Sequence, residues 1–218
     1  LTKLGTDFDS NIVQSNAPVM FSKADLDGLP ESFFASPGIK TGDDVYTVMA
    51  NVTWQFNTVQ ENAKNEGTRK QLYLVRETLA KDKNVPLLNQ MLALRNEIAL
   101  RLGYKSWDDY QTEVKMAKNG MTAEKYINDL ATGIQPKFDS EVAELQKLKA
   151  ADTNDPNAKI MVWDWRYYSN QLNKQHYAVD KEGLRAYFPF QKVLDGMFNI
   201  YQSIFGLKFE KIVAPYKW

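Results

Sequence analysis

The chain has 218 residues, of which 44% are hydrophobic and 25% charged, and its formal net charge is zero. This composition is typical of a folded globular protein and argues against intrinsic disorder and against a general nucleic-acid-binding protein. No apolar run is long enough to span a membrane. The sequence has no cysteine and one histidine, His176, so these residues cannot form a disulfide, a Cys-ligated zinc site or a site with two His ligands.

The spacing of apolar residues predicts a mainly helical chain with one or two short β-strands. The first helix is predicted within residues 1–17, where an apolar residue recurs every four positions. Ser22 and Asp25 have the spacing of a capping box, and residues 35–44 are predicted to form a loop. The β-branched and aromatic residues of 45–49 predict a strand.

Further helices are predicted in the middle of the chain from their start and stop signals. One is expected from Val52, one from an N-cap at Thr68, one with Pro86 in its first turn, and one from an N-cap at Ser106. Gly103 is expected to end the helix that contains Pro86.

A long helix is predicted from an N-cap at Thr122 to about Ala151, with a kink at Pro136. Its last turns are expected to bury one side and to expose the other. The predicted buried residues are Val142, Leu145 and Leu148. The predicted solvated residues are Glu141, Glu144, Lys147 and Lys149.

The last part of the chain also reads as helix. An aromatic-rich helix is predicted over 163–177, a short one from an N-cap at Asp180, and an apolar one over 190–205 that ends at Gly206. Residues 207–210 alternate in polarity and are expected to begin a strand.

The segment Trp163–Tyr168 is the densest group of residues that could carry a function. Asp164, Tyr167 and Tyr168 are spaced i, i+3, i+4, which places them on one face of a helix. Tyr hydroxyls suit recognition of peptide carbonyls, but composition alone favours an aromatic core whose hydroxyls are bonded to neighbours. For His176, a structural or surface role is favoured over metal binding or general base catalysis.

Short blocks of residues occur in a fixed order along most of the chain. They are Leu94-Arg95, Leu102-Gly103-Tyr104, Met116-Ala117, Trp163–Tyr168, Asn170-Gln171, Tyr177–Asp180, Tyr187-Phe188-Pro189 and Phe205-Gly206-Leu207. Together they resemble the thimet oligopeptidase family of zinc metallopeptidases, the M3 family. The Tyr187-Phe188-Pro189 block is closer to the branch of thimet oligopeptidase, neurolysin and oligopeptidase A than to the dipeptidyl carboxypeptidases.

The resemblance implies part of a large, mostly helical enzyme that cleaves short peptides in a deep channel. The zinc ligands of the family are two His of an HExxH helix and a later Glu, and the resemblance places all of them beyond the position that matches Trp218. The chain is therefore expected to be a non-catalytic helical portion, inactive alone, with zinc bound only in the parent enzyme. The candidates for channel-wall or interdomain contacts are Asp164, Arg166, Tyr167, Tyr168, His176 and Tyr177.

The resemblance also sets expectations for organisation, partners and compartment. Residues 1–218 are expected to be one helical fragment with a sub-boundary near 152–159, which separates a helical wall (1–151) from the support of the catalytic domain (160–218). Both ends resemble cuts in a longer polypeptide. The expected partners are short peptides and the remaining catalytic part, with neither nucleic acid nor membrane. The expected compartment is the cytoplasm, with a bacterial periplasm as the alternative.

Two other functions remain open from the sequence. The first is a stand-alone helical module that binds peptides or proteins without catalysis. The second is a two-chain enzyme whose zinc domain is a separate polypeptide, for which the apolar face at 193–205 and the end of the chain at 212–214 would form the partner surface.

Overall fold

The computed structural model describes residues 1–177, 183–184 and 187–212. These residues form a mainly helical structure with one small antiparallel sheet, which confirms the predicted fold class. The chain divides into two compact units, Leu1–Leu172 and Asn173–Trp218. The sub-boundary expected near 152–159 stays a prediction. Within the described part of the chain, no helix combines the length and the apolarity needed to cross a bilayer.

The three short strands of the first unit lie in its first 50 residues, and only helices follow them. In chain order they are α1 (Thr2–Val13), β1 (Pro18–Phe21), α2 (Glu31–Phe34), β2 (Lys40–Gly42), β3 (Val45–Met49), α3 (Thr53–Asn62), α4 (Glu66–Glu77), α5 (Lys81–Arg101), α6 (Trp107–Thr112) and α7 (Gly120–Thr153). Helix α8 (Trp165–Tyr177) begins in this unit, and α9 (Phe190–Phe205) lies in the second unit.

The sheet has the strand order β1-β3-β2, and both pairings are antiparallel. In β3, Tyr46 and Val48 are buried and lie opposite Phe21 and Val19 of β1, which are buried too. Alternate residues of a strand point to opposite faces, so this register gives the sheet one buried face. Strand β2 falls inside residues 35–44, so the prediction of an unbroken loop there was wrong: Lys40 pairs with Tyr46 of β3.

The hydrophobic core lies between the buried face of the sheet and helices α2, α3 and α4. Its largest fully buried apolar side chains are those of Leu26, Ile39, Val48, Val59 and Leu72. Burial of such side chains stabilises a fold by about 1.5–3 kcal/mol each. The core therefore fixes the positions of α3 and α4, which support the candidate site.

Three predicted helix starts were displaced by a few residues. Helix α4 has its N-cap at Asn65, whose side-chain oxygen accepts hydrogen bonds from Gly67 N at 2.8 Å and Thr68 N at 3.4 Å. Thr68 lies inside α4. Helix α7 is capped by Asn119, which accepts from Thr122 N at 2.8 Å. Helix α5 begins at Lys81, five residues before Pro86.

The other capping predictions agree with the structure. Ser22 and Asp25 exchange backbone-to-side-chain hydrogen bonds, Ser106 accepts from Asp109 N, and Gly103 and Gly206 adopt positive φ at the ends of α5 and α9. Such backbone geometry favours glycine.

Three predictions for the second half of the chain have different outcomes. Pro136 lies inside α7, which continues on both sides of it, and the expected kink stays a prediction. Residues 207–210 form no strand, because Phe209 N donates instead to the Gln202 side chain at 2.9 Å. Asp180 lies outside the described residues.

Candidate functional site

Asp164, the residue before α8, is the centre of a buried ion-pair network. One of its carboxylate oxygens accepts from Arg69 Nη2 at 2.7 Å, and the other accepts from Lys149 Nζ at 2.6 Å and from Met161 N at 3.1 Å. The side chains of Asp164, Arg69 and Lys149 are 0%, 1% and 6% exposed. Burial of one unpaired charge is very costly, so these three charges depend on one another.

Glu66 extends the network to the surface. Its carboxylate lies 3.0 Å from Lys149 Nζ and accepts a hydrogen bond from Trp163 Nε1, also at 3.0 Å. Glu66 is the first residue of α4, where a negative charge is favourable for the helix dipole. Lys149 thus bridges two carboxylates, and the network contains two cations and two anions.

The pKa values of Lys149 and Glu66 follow from these contacts. Burial by itself lowers the pKa of Lys149, but its hydrogen bonds and ion pairs with Asp164 and Glu66 raise that pKa overall. Burial by itself raises the pKa of Glu66, but the hydrogen bonds from Trp163 and Lys149 lower that pKa overall. Both groups are therefore held in their charged forms at neutral pH.

Arg69 joins the network to the turn between α3 and α4. Its Nη1 donates to the carbonyls of Ala63 and Lys64 at 2.7 and 2.8 Å, and these carbonyls lie at the end of α3. The guanidinium also lies over the ring of Tyr167, 4.4 Å from its centroid. A planar guanidinium can stack on an aromatic ring and donate in its plane at once, which a lysine cannot do.

Tyr167 and Tyr168 lie beside Asp164 on the buried face of α8. Their rings are 5.0 Å apart in an edge-to-face arrangement, and the Tyr168 hydroxyl donates to Asp152 of α7 at 3.1 Å. Burial is the main cause that raises the pKa of both phenols. One turn further, Asn170 donates to the Glu61 carbonyl at 2.9 Å, so α8 is bonded to α3 as well.

The structure brings together three of the six sequence-predicted site residues, namely Asp164, Tyr167 and Tyr168. Arg166 is half-buried and stacks on the exposed ring of Trp165, 4.5 Å from its centroid. His176 is exposed in the last turn of α8, where a basic group is favourable for the helix dipole. Tyr177 is the last residue of α8.

Sequence reasoning missed Arg69 and Glu66 and placed Lys149 on the solvated side of α7, which was wrong. Lys149 is buried because it follows Val142 by seven residues and Leu145 by four, so it lies on the same face as that predicted stripe. Arg69 likewise precedes the buried Leu72 by three residues. Helical spacing could have placed both cations on buried faces, but it could not name Asp164 as their shared partner.

The network does not have the chemistry of a metal site. Among the residues that the structure describes, no group of three His, Cys, Asp or Glu side chains is arranged to hold a metal ion. The carboxylates of Asp164 and Glu66 already accept from cationic groups. What the arrangement can do is hold α4, α7 and α8 in a fixed relation, as a rigid support for surfaces formed by these helices.

Comparison with known proteins decides the family. The sequence model of peptidase family M3 matches residues 59–217, which include α4, α7, α8 and α9. The chain belongs to peptidase family M3. This confirms the family that the ordered blocks of residues resemble.

Curated M3-related proteins match almost the whole chain. Saccharolysin of Saccharomyces cerevisiae is 32% identical over 212 residues, which are 93% of this chain and 29% of that protein. Oligopeptidase A of Escherichia coli is 26% identical over 95% of this chain and 32% of that protein. The "Probable cytosolic oligopeptidase A" of Arabidopsis thaliana is 28% identical over 95% of this chain and 32% of that protein. The chain therefore spans less than a third of the length of each of these relatives.

Proposed function

We propose that the chain is the non-catalytic helical portion of a zinc-dependent M3 oligopeptidase that hydrolyses short peptides in a deep channel, and that it is inactive alone. The observation that carries this proposal is the M3 match over 59–217 in a chain that spans 29% of saccharolysin. The single histidine supports the second part, because a zinc site with two His ligands needs residues from elsewhere.

In this proposal the Asp164 network is a support, and the side of α8 turned away from it is the working surface. Trp165 is 46% exposed, and Arg166 stacks on it. These two residues, together with His176 and Tyr177 further along α8, are the proposed contacts with the channel or with the catalytic part. The helical wall would be 1–151 and the support of the catalytic domain 160–218.

The proposed partners follow from the family. Short peptides are the proposed substrates of the whole enzyme, and its remaining polypeptide is the proposed partner that supplies the zinc ligands. The proposed compartment is the cytoplasm, and the support for it is that the Arabidopsis relative is named as a probable cytosolic protein.

A peptidase assay tests the inactivity of the chain. The purified 218-residue chain is incubated with a quenched fluorescent peptide of about ten residues and with zinc, and Escherichia coli oligopeptidase A is the positive control. We expect no turnover by the chain. Turnover that a chelator abolishes would refute the claim of inactivity. Peptide binding without turnover, measured by fluorescence anisotropy, would favour a stand-alone binding module instead.

A hybrid enzyme tests the proposed role directly. The segment of Escherichia coli oligopeptidase A that matches this chain is replaced by the chain itself, since the match covers 95% of the chain. We expect the hybrid to hydrolyse the fluorescent peptide, because the chain supplies the structural part that the enzyme then lacks. A hybrid that folds, binds zinc and cleaves no peptide would count against the proposal.

A further inference from the structure

The middle of α7 makes little contact with the rest of the described chain. Residues 121–141 are exposed almost throughout. Both ends of the helix are held, because Gly120 N donates to Asp109 at 2.9 Å and because Val142, Leu145 and Leu148 are half-buried. The helix is therefore fixed at its two ends and bare between them.

Large apolar side chains follow one face of this bare part. They are Tyr126, Ile127, Leu130, Ile134 and Phe138, which are 67%, 63%, 50%, 55% and 57% exposed, and we call them the α7 stripe. Leu145 follows Phe138 by seven residues, and Leu148 follows Ile134 by fourteen. The α7 stripe therefore continues, on the same face of the helix, the half-buried stripe of Val142, Leu145 and Leu148.

The sequence of this part is poorly suited to an unsupported helix. Gly133 and Pro136 lie inside it, and these are the two residues that destabilise helix interiors most. Pro136 also has no N–H to donate to the Thr132 carbonyl. Helices in proteins owe most of their stability to packing of an apolar face, so this part of α7 needs a cover for its stripe.

Both lysines beside the stripe form ion pairs along the helix. Lys125 pairs with Asp129 at 2.6 Å, and Lys137 pairs with Glu141 at 3.2 Å. Residues 121–141 contain four acidic and two basic side chains, and this excess of negative charge argues against an acidic partner such as a nucleic acid. An apolar helix face is the complement that this surface fits.

We propose that the α7 stripe is the docking surface for an apolar helix of the remaining polypeptide of the M3 peptidase, and this inference rests on the proposed function. The M3 match includes all of α7, and the chain spans 29–32% of the relatives compared above. The stripe therefore belongs to a part shared with proteins about three times as long. Its continuity with a stripe that is half-buried in this chain also favours an intramolecular cover over a second copy.

Two matched substitutions test this inference. Ile134→Asp places a charge in the stripe, and Thr132→Asp places the same charge on the opposite side, since two residues turn a helix by about 200°. In the 218-residue chain alone, hydrogen exchange at 126–138 should be fast, and neither substitution should shift the thermal midpoint by more than a degree or so. In the hybrid enzyme described above, exchange at 126–138 should slow at least tenfold. Ile134→Asp should abolish that protection and lower the midpoint by several degrees, and Thr132→Asp should do neither.

The outcomes separate this inference from the proposed function. A hybrid that cleaves peptide while 126–138 exchange as fast as in the isolated chain would overturn the docking surface and leave the function intact. A hybrid that protects the stripe from exchange but cleaves no peptide would support the docking surface and count against the proposed function. Slow exchange at 126–138 in the isolated monomer, or a dimer that Ile134→Asp but not Thr132→Asp dissociates, would overturn the inference even if no hybrid folds. Such a dimer would show that the stripe binds another copy of the chain.

Discussion

Asp164 has no exposed surface, and two cations and a backbone N–H surround its carboxylate. A buried ion pair is weak evidence for stability as a whole, because desolvation offsets much of the attraction. Removal of one partner is different, because it leaves the others buried without compensation. At this site Arg69 would lose its carboxylate partner and Lys149 would keep that of Glu66, and the two cations belong to different helices.

We predict that Asp164→Asn lowers the free energy of unfolding by about 3–5 kcal/mol, as expected when a buried pair is broken. The asparagine keeps the shape of the side chain, removes its charge and replaces one acceptor oxygen by an NH2 group, which cannot accept from the donors around it. Asp129→Asn is the matched control, because it breaks the exposed pair with Lys125 and should cost about 0–1 kcal/mol. Urea unfolding at neutral pH measures both values, and equal losses for the two variants would refute the prediction.

Sequence could predict that Asp164, Tyr167 and Tyr168 share a face, because that depends only on spacing along one helix. It could not predict the partners of Asp164, because Arg69 and Lys149 are 95 and 15 residues away in the chain. Lys149 shows the physical limit most clearly. A lysine is assigned to the solvated side because burial of its charge is costly, and only a specific partner from another segment reverses that assignment.

The start of α4 shows the same limit for a whole element. The sequence correctly predicts a helix with Leu72 on its buried face, but both Asn65 and Thr68 are residues that cap helices well. The structure separates their roles. Asn65 caps the helix, whereas the Thr68 hydroxyl donates to the Asp25 carbonyl at 2.9 Å, a contact across 43 residues that local sequence does not indicate.

We therefore predict that Asn65→Ala lowers the free energy of unfolding by about 1 kcal/mol, the usual cost of a lost N-cap. The cap should matter here because α4 carries both Glu66 and Arg69 of the buried network. Asn65→Asp is the control and should retain most of the stability, since its carboxylate can accept the same backbone hydrogen bonds and is favourable near a helix N-terminus. Thermal unfolding of the two variants measures the difference, and an alanine variant as stable as the aspartate variant would contradict this role.

At the scale of the whole molecule, the hydrogen bonds of Asp164 and α8 join several helices of the first unit. Before Leu172, Asp164 bonds to α4 and α7, the Tyr168 hydroxyl bonds to Asp152, and Asn170 bonds to the end of α3. Sequence spacing predicted the helix itself. It did not predict the bonds to α3, α4 and α7, because these depend on contacts among segments far apart in the chain.

Two truncations test this dependence. A chain of residues 1–177 keeps every bond named above, and we expect it to unfold cooperatively and to respond to Asp164→Asn with a loss of stability like that of the full chain. A chain of residues 1–162 lacks Asp164, Tyr167 and Tyr168, so Arg69 would lose both its carboxylate partner and the ring that it lies over, and Lys149 would lose one of its two carboxylates. We expect this shorter chain to lack a cooperative transition and to be cleaved rapidly by a protease. Circular dichroism during thermal unfolding, with limited proteolysis of both chains, makes the comparison. A 1–162 chain that unfolds as cooperatively as 1–177 would show that the network ties α8 to a unit already complete without it.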